Sequence, residues 1–192
     1  MTIKNLRFSF ILLALCAFAG TAAAQGPVAN LATTSAQLEM SATVQTAVQL
    51  NISTGSGGAT VSGSNATGLF AINFGSVNGL GIGTPASGVS VTADGSGALY
   101  KTPINLTPVY SGFNTETADV TVEAGISGDE DMAREGSSSI SSSSTVSSTP
   151  AIAFSNAASG SSNERFVGFY IPRSAVAGAK TATLIYTVTV QL

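Results

Sequence analysis

The chain has no histidine and no tryptophan, and its one cysteine is Cys16. Without histidine it lacks the side chain that exchanges protons near neutral pH and the commonest metal ligand. Without a cysteine beyond residue 16 it has no reactive thiol in the body of the chain. Serine is plentiful, but a serine nucleophile needs a positioned base, which leaves only a lysine variant. Lys101 and Lys180 stand in no Ser-x-x-Lys setting. The stretch "GLGIGTPASG" carries Gly79, Gly81 and Gly83, yet no helical pattern follows it and no lysine holds the phosphate-loop position. The reading is of a protein that is not an enzyme and uses no cofactor.

Charge is also scarce. Charged residues make up 9% of the chain, against roughly 25% in average domains. Of the seven cations, Lys4 and Arg7 come first. Lys101, Arg134, Arg165, Arg173 and Lys180 then face ten acids, a net charge of −5 beyond residue 24. A sparse acidic surface argues against nucleic acid or an anionic membrane as partner. The one acidic concentration is "GDEDMAREG", with Asp129, Glu130, Asp131 and Glu135. Two readings stay open there: a calcium site built on oxygen ligands, or a solvated loop, since EF-hand spacing is absent. A glycosidase-type carboxylate pair has no carbohydrate platform beside it, with tryptophan missing and tyrosine scarce.

What is present begins with location. Lys4 and Arg7 precede the apolar run "FSFILLALCAFAG", and "TAAAQ" follows with Ala22 and Ala24 in a small-residue cleavage pattern. Residues 1–24 read as a secretory signal peptide, cleaved before Gln25. Cys16 lies inside the apolar run behind Leu15, not behind the small residue a lipoprotein would need. An exported chain could use disulfides and this one does not. Its stability has to come from burial and strand pairing.

Beyond residue 24 alternation replaces helical periodicity, so strands are expected throughout. "LEMSATVQTAVQLNI" alternates through Leu38, Met40, Ala42 and Val44 and on through Val48, Leu50 and Ile52. "LFAINFGSV" predicts a strand over Leu69–Val77. In "GVSVTADGSGALY" the Asp94-Gly95 turn signal predicts a hairpin. "INLTPVY" holds Pro108 and follows Pro103, which limits it to an edge or a broken strand. "ADVTVEAGI", "AIAF" and "RFVGFYIP" continue the series. In the last of these Val167, Phe169 and Ile171 read as the core face. The final stretch "TATLIYTVTVQL" puts Leu184, Tyr186, Val188, Val190 and Leu192 on one face. Short strands with Gly/Ser turns indicate an all-β sandwich. The serine tract "GSSSISSSSTVSSTP", 136–150, lacks the apolar content to offset its ordering and is expected to be a mobile surface loop.

"INFG", Ile72, Asn73, Phe74 and Gly75, comes shortly after the first long strand, in a chain that is exported, rich in Gly, Ser and Thr, and ends on an alternating strand. In these respects it resembles bacterial fimbrial subunits of the chaperone–usher type and the related spore-coat-U-like secreted proteins. That resemblance implies an immunoglobulin-like β-sandwich, incomplete by one strand and completed by a donor strand. The last strand would border a polymerisation groove. A periplasmic chaperone would fill that groove first, an outer-membrane usher would handle assembly, and the N-terminal extension of another copy or a sister subunit would fill it in the fibre. The candidate donor is 25–37, with Val28, Asn30, Ala32, Thr34 and Ala36 on one face, and the sandwich domain is 38–192. The product is an extracellular fibre or surface coat reached through the periplasm, with no nucleic acid and no membrane contact beyond the cleaved signal. The alternative is a monomeric secreted adhesin or carbohydrate-binding sandwich.

Intact-mass measurement of the exported protein is expected to give a chain that starts at or near Gln25. A product that retains Cys16 would overturn the export argument.

Overall fold

The computed structural model describes residues 39–113, 117–126 and 128–191. The chain divides into Met1–Ser41 and Ala42–Leu192, and the fold below is that of the second unit. The signal-peptide segment 1–24, the candidate donor positions Val28, Asn30, Ala32, Thr34 and Ala36, and Leu192 lie outside the described residues.

The chain is all-β. Its strands are β1 (Ala47–Thr54), β2 (Val61–Ser64), β3 (Leu69–Ile72), β4 (Gly75–Ser76), β5 (Thr84–Pro85), β6 (Ser90–Ala93), β7 (Gly97–Ser111), β8 (Ala118–Ala124), β9 (Ala133–Gly136), β10 (Ala151–Ala157), β11 (Asn163–Pro172) and β12 (Leu184–Val190). The larger sheet runs β1-β7-β11-β9, with β6 also on β7; the smaller runs β10-β8-β12; β2-β3 and β4-β5 form two-stranded ribbons. Every pairing is antiparallel. Alternation decides which faces meet. Ala98, Tyr100, Ile104 and Leu106 of β7 are buried, as are Val120 and Val122 of β8. Phe154, Leu184 and Tyr186 of the smaller sheet pack on Ile104, Leu106 and Val167 of the larger, in the manner of a β-sandwich.

The prolines of β7 mark a difference from the sequence expectation. The strand is fifteen residues long and central, neither an edge nor broken. A residue in an extended strand points its N–H and C=O to the same side. The Pro103 carbonyl accepts from Gly55 N at 3.1 Å, past the end of β6 and of β1. The Pro108 carbonyl accepts from Gly160 N at 2.8 Å, beyond the start of β11. Each missing N–H therefore falls where one neighbour has stopped, so neither ladder loses a donor.

Two expected strands are shorter than predicted. Pairing of the first begins only at Ala47, and residues 39–46 are exposed and form no strand. Leu69–Val77 is broken at Asn73–Phe74 into β3 and β4. The Asp94-Gly95 hairpin forms as predicted. Asp94 Oδ1 accepts from Ser96 N and Gly97 N at 2.7 and 2.8 Å, and these donors hold its carboxyl below the usual range.

The serine tract, expected to hold too little apolar content to offset its ordering, nevertheless places one isoleucine in a buried seat. Ile140 is 4% exposed. It sits over two glycines of the outer face of the larger sheet: a Cβ at Gly136 would meet Ile140 Cγ2, and one at Gly168 would meet Ile140 Cδ1 and the Tyr100 carbonyl. Arg134 fastens the tract beside it. Its Nε donates to the Ser142 carbonyl and its Nη1 to the Asp131 and Ala133 carbonyls, at 2.6 to 2.7 Å. Its guanidinium lies 5.2 Å from the Tyr170 ring centroid. Val146 reaches the inner cluster of Val120, Val122 and Ala153. One isoleucine, one valine and one arginine thus tie down a stretch whose composition is otherwise that of a loop.

Ile140→Ala is expected to lower stability by about 2 kcal/mol or more, the lower range for truncating a buried isoleucine. Ser138→Ala and Ser143→Ala, at exposed positions, are expected to stay within about 0.5 kcal/mol. Urea unfolding measures both, and equal effects would show that Ile140 is not the anchor.

Candidate functional site

Strand β12 alternates without interruption. Leu184, Tyr186, Val188 and Val190 are half-buried and face inward; Ile185, Thr187 and Thr189 are exposed. Its backbone pairs with β8 from Leu184↔Ala124 to Val190↔Ala118. Among the described residues no strand pairs its other edge. Strand β1 is likewise paired on one side only, by β7. Between these two unpaired edges lies a groove of about 750 Å³. Leu50 and Ile52 of β1, Ile72 and Phe74, and Leu184 and Tyr186 of β12 contribute to its walls. A second hollow of about 670 Å³ shares Ile72, Phe74, Phe169 and Lys180 with the first and extends along 175–179.

Of the "INFG" residues, Ile72 and Phe74 belong to the shared wall, and Asn73 and Gly75 line the second hollow alone. Ile72 closes β3 and packs on the Ile104–Leu106–Val167 cluster. Asn73 Oδ1 accepts from Gly75 N at 2.8 Å, an Asx turn that breaks the strand. Phe74 touches two core clusters and meets Phe169 edge-on, with ring centroids 5.5 Å apart. Gly75 has φ +81°, and a Cβ there would strike Ala86 N and the Thr84 carbonyl. The motif turns the chain and delivers an aromatic ring to the groove wall in four residues.

The sequence reading missed a polar group beneath the groove. Pairing places Arg165 and Glu135 on the inner face with Val167. Arg165 Nε and Nη2 donate to Glu135 Oε1 and Oε2 at 2.6 and 2.8 Å, with side chains 9% and 5% exposed. The Tyr186 hydroxyl is buried beside this pair without a formed hydrogen bond. Burial pushes its phenol well above the ordinary value, and the adjacent Glu135 charge adds to the effect. Arg165 and Glu135 stand thirty residues apart in sequence. The only sequence signal was the shared parity of Arg165 with Val167 and Phe169; nothing in the sequence marked a strand at Glu135.

The approach to β12 is pinned at the acidic stretch. Asp129 accepts from Thr181 N at 3.0 Å and from Lys180 Nζ at 3.2 Å, and these contacts lower its carboxyl pKa. Glu130 Oε2 accepts from Gly128 N at 2.6 Å. Among the described residues no three acids, cysteines or histidines gather as a metal site. No helix of the described residues is long and apolar enough to cross a membrane. Comparison with known proteins finds no family model, curated protein or solved structure that matches this chain.

Arg165→Met strands a buried carboxylate and is expected to cost about 3–5 kcal/mol. Tyr186→Phe removes a hydroxyl that has no formed partner and is expected to cost less than about 1 kcal/mol. Urea unfolding of both variants reads the contrast. Comparable losses would mean that the three groups act as one bonded unit.

Proposed function

We propose that this protein is a structural subunit of an extracellular fibre or surface coat, exported through the periplasm and polymerised by donor-strand exchange. The observation that carries the reading is the unpaired edge of β12 beside an apolar groove. A strand laid along that edge gains main-chain hydrogen bonds at about 0.5–1.5 kcal/mol each. It also covers the half-buried faces of Leu184, Tyr186, Val188 and Val190, so pairing and apolar burial favour the same occupant. In this reading the domain is an immunoglobulin-like sandwich short of one strand. The occupant comes from the N-terminal extension of another copy or a sister subunit. Before assembly a periplasmic chaperone holds the groove, and an outer-membrane usher receives the complex. An exposed, apolar, unpaired strand is otherwise an aggregation hazard, which gives the chaperone a physical task.

A second reading is a monomeric secreted binding module. The packing of Leu184, Tyr186 and Val188 on the opposing cluster favours it, because the inward face of β12 is already partly covered.

Two lesions separate these readings. A chain lacking residues 25–44 keeps β12 but loses both the candidate donor stretch 25–37 and most of the unpaired residues ahead of β1. It is expected to form a chaperone complex and no polymer. Val188→Asp puts an unpaired charge on the inward face of β12, against the Val120–Val122–Ala153 cluster. It is expected to lose both the chaperone complex and the polymer. Sedimentation and negative-stain microscopy read the outcome. If the truncated chain purifies as a stable monomer with no chaperone, the sandwich is complete and the binding-module reading replaces the fibre.

A further inference from the structure

Residues 39–46 are the least expected part of the described chain. They carry a strand pattern and form no strand. Met40 is 85% exposed and Val44 82%, the largest exposures of apolar side chains ahead of β1. Leu38, which lies outside the described residues, continues the series with Met40, Ala42 and Val44 on one parity; Glu39, Ser41, Thr43 and Gln45 take the other. That is the pattern of a strand with one face against an apolar floor and one face in water. The candidate donor stretch 25–37 lacks it. Its face of Val28, Asn30, Ala32, Thr34 and Ala36 offers a single large apolar side chain.

Resting on the donor-strand reading above, we infer that the donated strand is Leu38–Thr46 of a second copy, not residues 25–37. Three observations fit this occupant. From Leu38 to Val44 is the same seven residues as β12, Leu184–Val190, about 20 Å at roughly 3.3 Å per residue. Its alternate apolar side chains therefore match the inward series Leu184, Tyr186, Val188 and Val190 in spacing. The segment also cannot serve its own groove. It runs into β1 at Ala47, and β1 is itself a wall of that groove. To lie there it would have to reverse within a few residues, and no Gly, Pro, Asn or Asp occurs between Leu38 and Leu50. Where it joins the domain, its backbone at Gln45 and Thr46 runs close over Gly112, which has no Cβ to obstruct it.

The test uses full-length exported chains in two versions, Met40→Asp/Val44→Asp and Val28→Asp/Ala32→Asp. Light scattering and negative-stain microscopy measure polymer formation. The first pair is expected to cut polymer at least about tenfold, since each aspartate would carry a charge into the groove; the second pair is expected to polymerise as the parent does. The Met40→Asp/Val44→Asp chain retains a sound groove. Mixed with parent chains, it is expected to be incorporated at one end of a polymer and to stop growth there. Failure to be incorporated would overturn the inference, because the lesion would then lie in the fold. Polymer lost only in the Val28→Asp/Ala32→Asp chain, or in both, would overturn the assignment to 38–46 and leave donor-strand exchange standing. Polymer retained in both would overturn donor-strand exchange itself.

Discussion

A fifteen-residue strand buried on both edges has to find a hydrogen-bond partner for nearly every backbone group it carries. Strand β7 meets that demand with three neighbours, β1, β6 and β11, which start and stop at different points along it. The rest of the larger sheet hangs on this schedule. Pro103 and Pro108 fall at the changeovers, where a donor would have faced a gap. The long central strand also fixes the inner face, since every second residue from Ala98 through Tyr110 is buried, with Gly97 and Leu99 buried on the other parity. The opposing strands β8 and β12 pack on a floor already set by β7.

Against that saturation, the edge of β12 stands out. Among the described residues, the chain that pairs both sides of β7 leaves β12 with one partner, and leaves β1 opposite with one. Mostly apolar residues line the space between, while two buried charged groups near it, Arg165 and Glu135, satisfy each other in a bidentate pair. A buried carboxylate without its guanidinium would be very costly, so this pair constrains how β9 and β11 lie relative to each other. The groove is thereby held from below by polar geometry and bounded at the side by two strand edges that are unpaired among the described residues.

Much of this was legible where a local rule governs a local structure. The Asp94-Gly95 turn, the inward set of Val167, Phe169 and Ile171, and the alternation of β12 follow from parity and turn chemistry within ten residues. The errors came where the outcome depends on distant chain. Pro103 and Pro108 argue against a central strand unless one knows where β1, β6 and β11 end. Alternation over Leu38–Ile52 says strand, yet only the part from Ala47 finds β7 opposite it. Ile140 looked like one apolar residue lost among serines, because nothing nearby reveals that Gly136 and Gly168 leave a space of its size. The pairing of Arg165 with Glu135, and of both with Tyr186, joins three strands across the sandwich, and no single window of sequence contains it.

The way Ile140 seats over two glycines has a consequence for how this surface can diverge. The depression it fills has backbone for a base, so it accepts one branched side chain and rejects any Cβ growing up from Gly136 or Gly168. The three positions are a single unit of substitution: none can change in size alone. The hydroxyls around them are under no such coupling, since most of Ser137–Thr149 faces water. A lineage of such chains could therefore rewrite the chemistry it shows to its surroundings, residue by residue, while the tract stayed seated through Ile140 on the same two glycines. The serines are then less a filler than a display surface whose mounting is separate from its content.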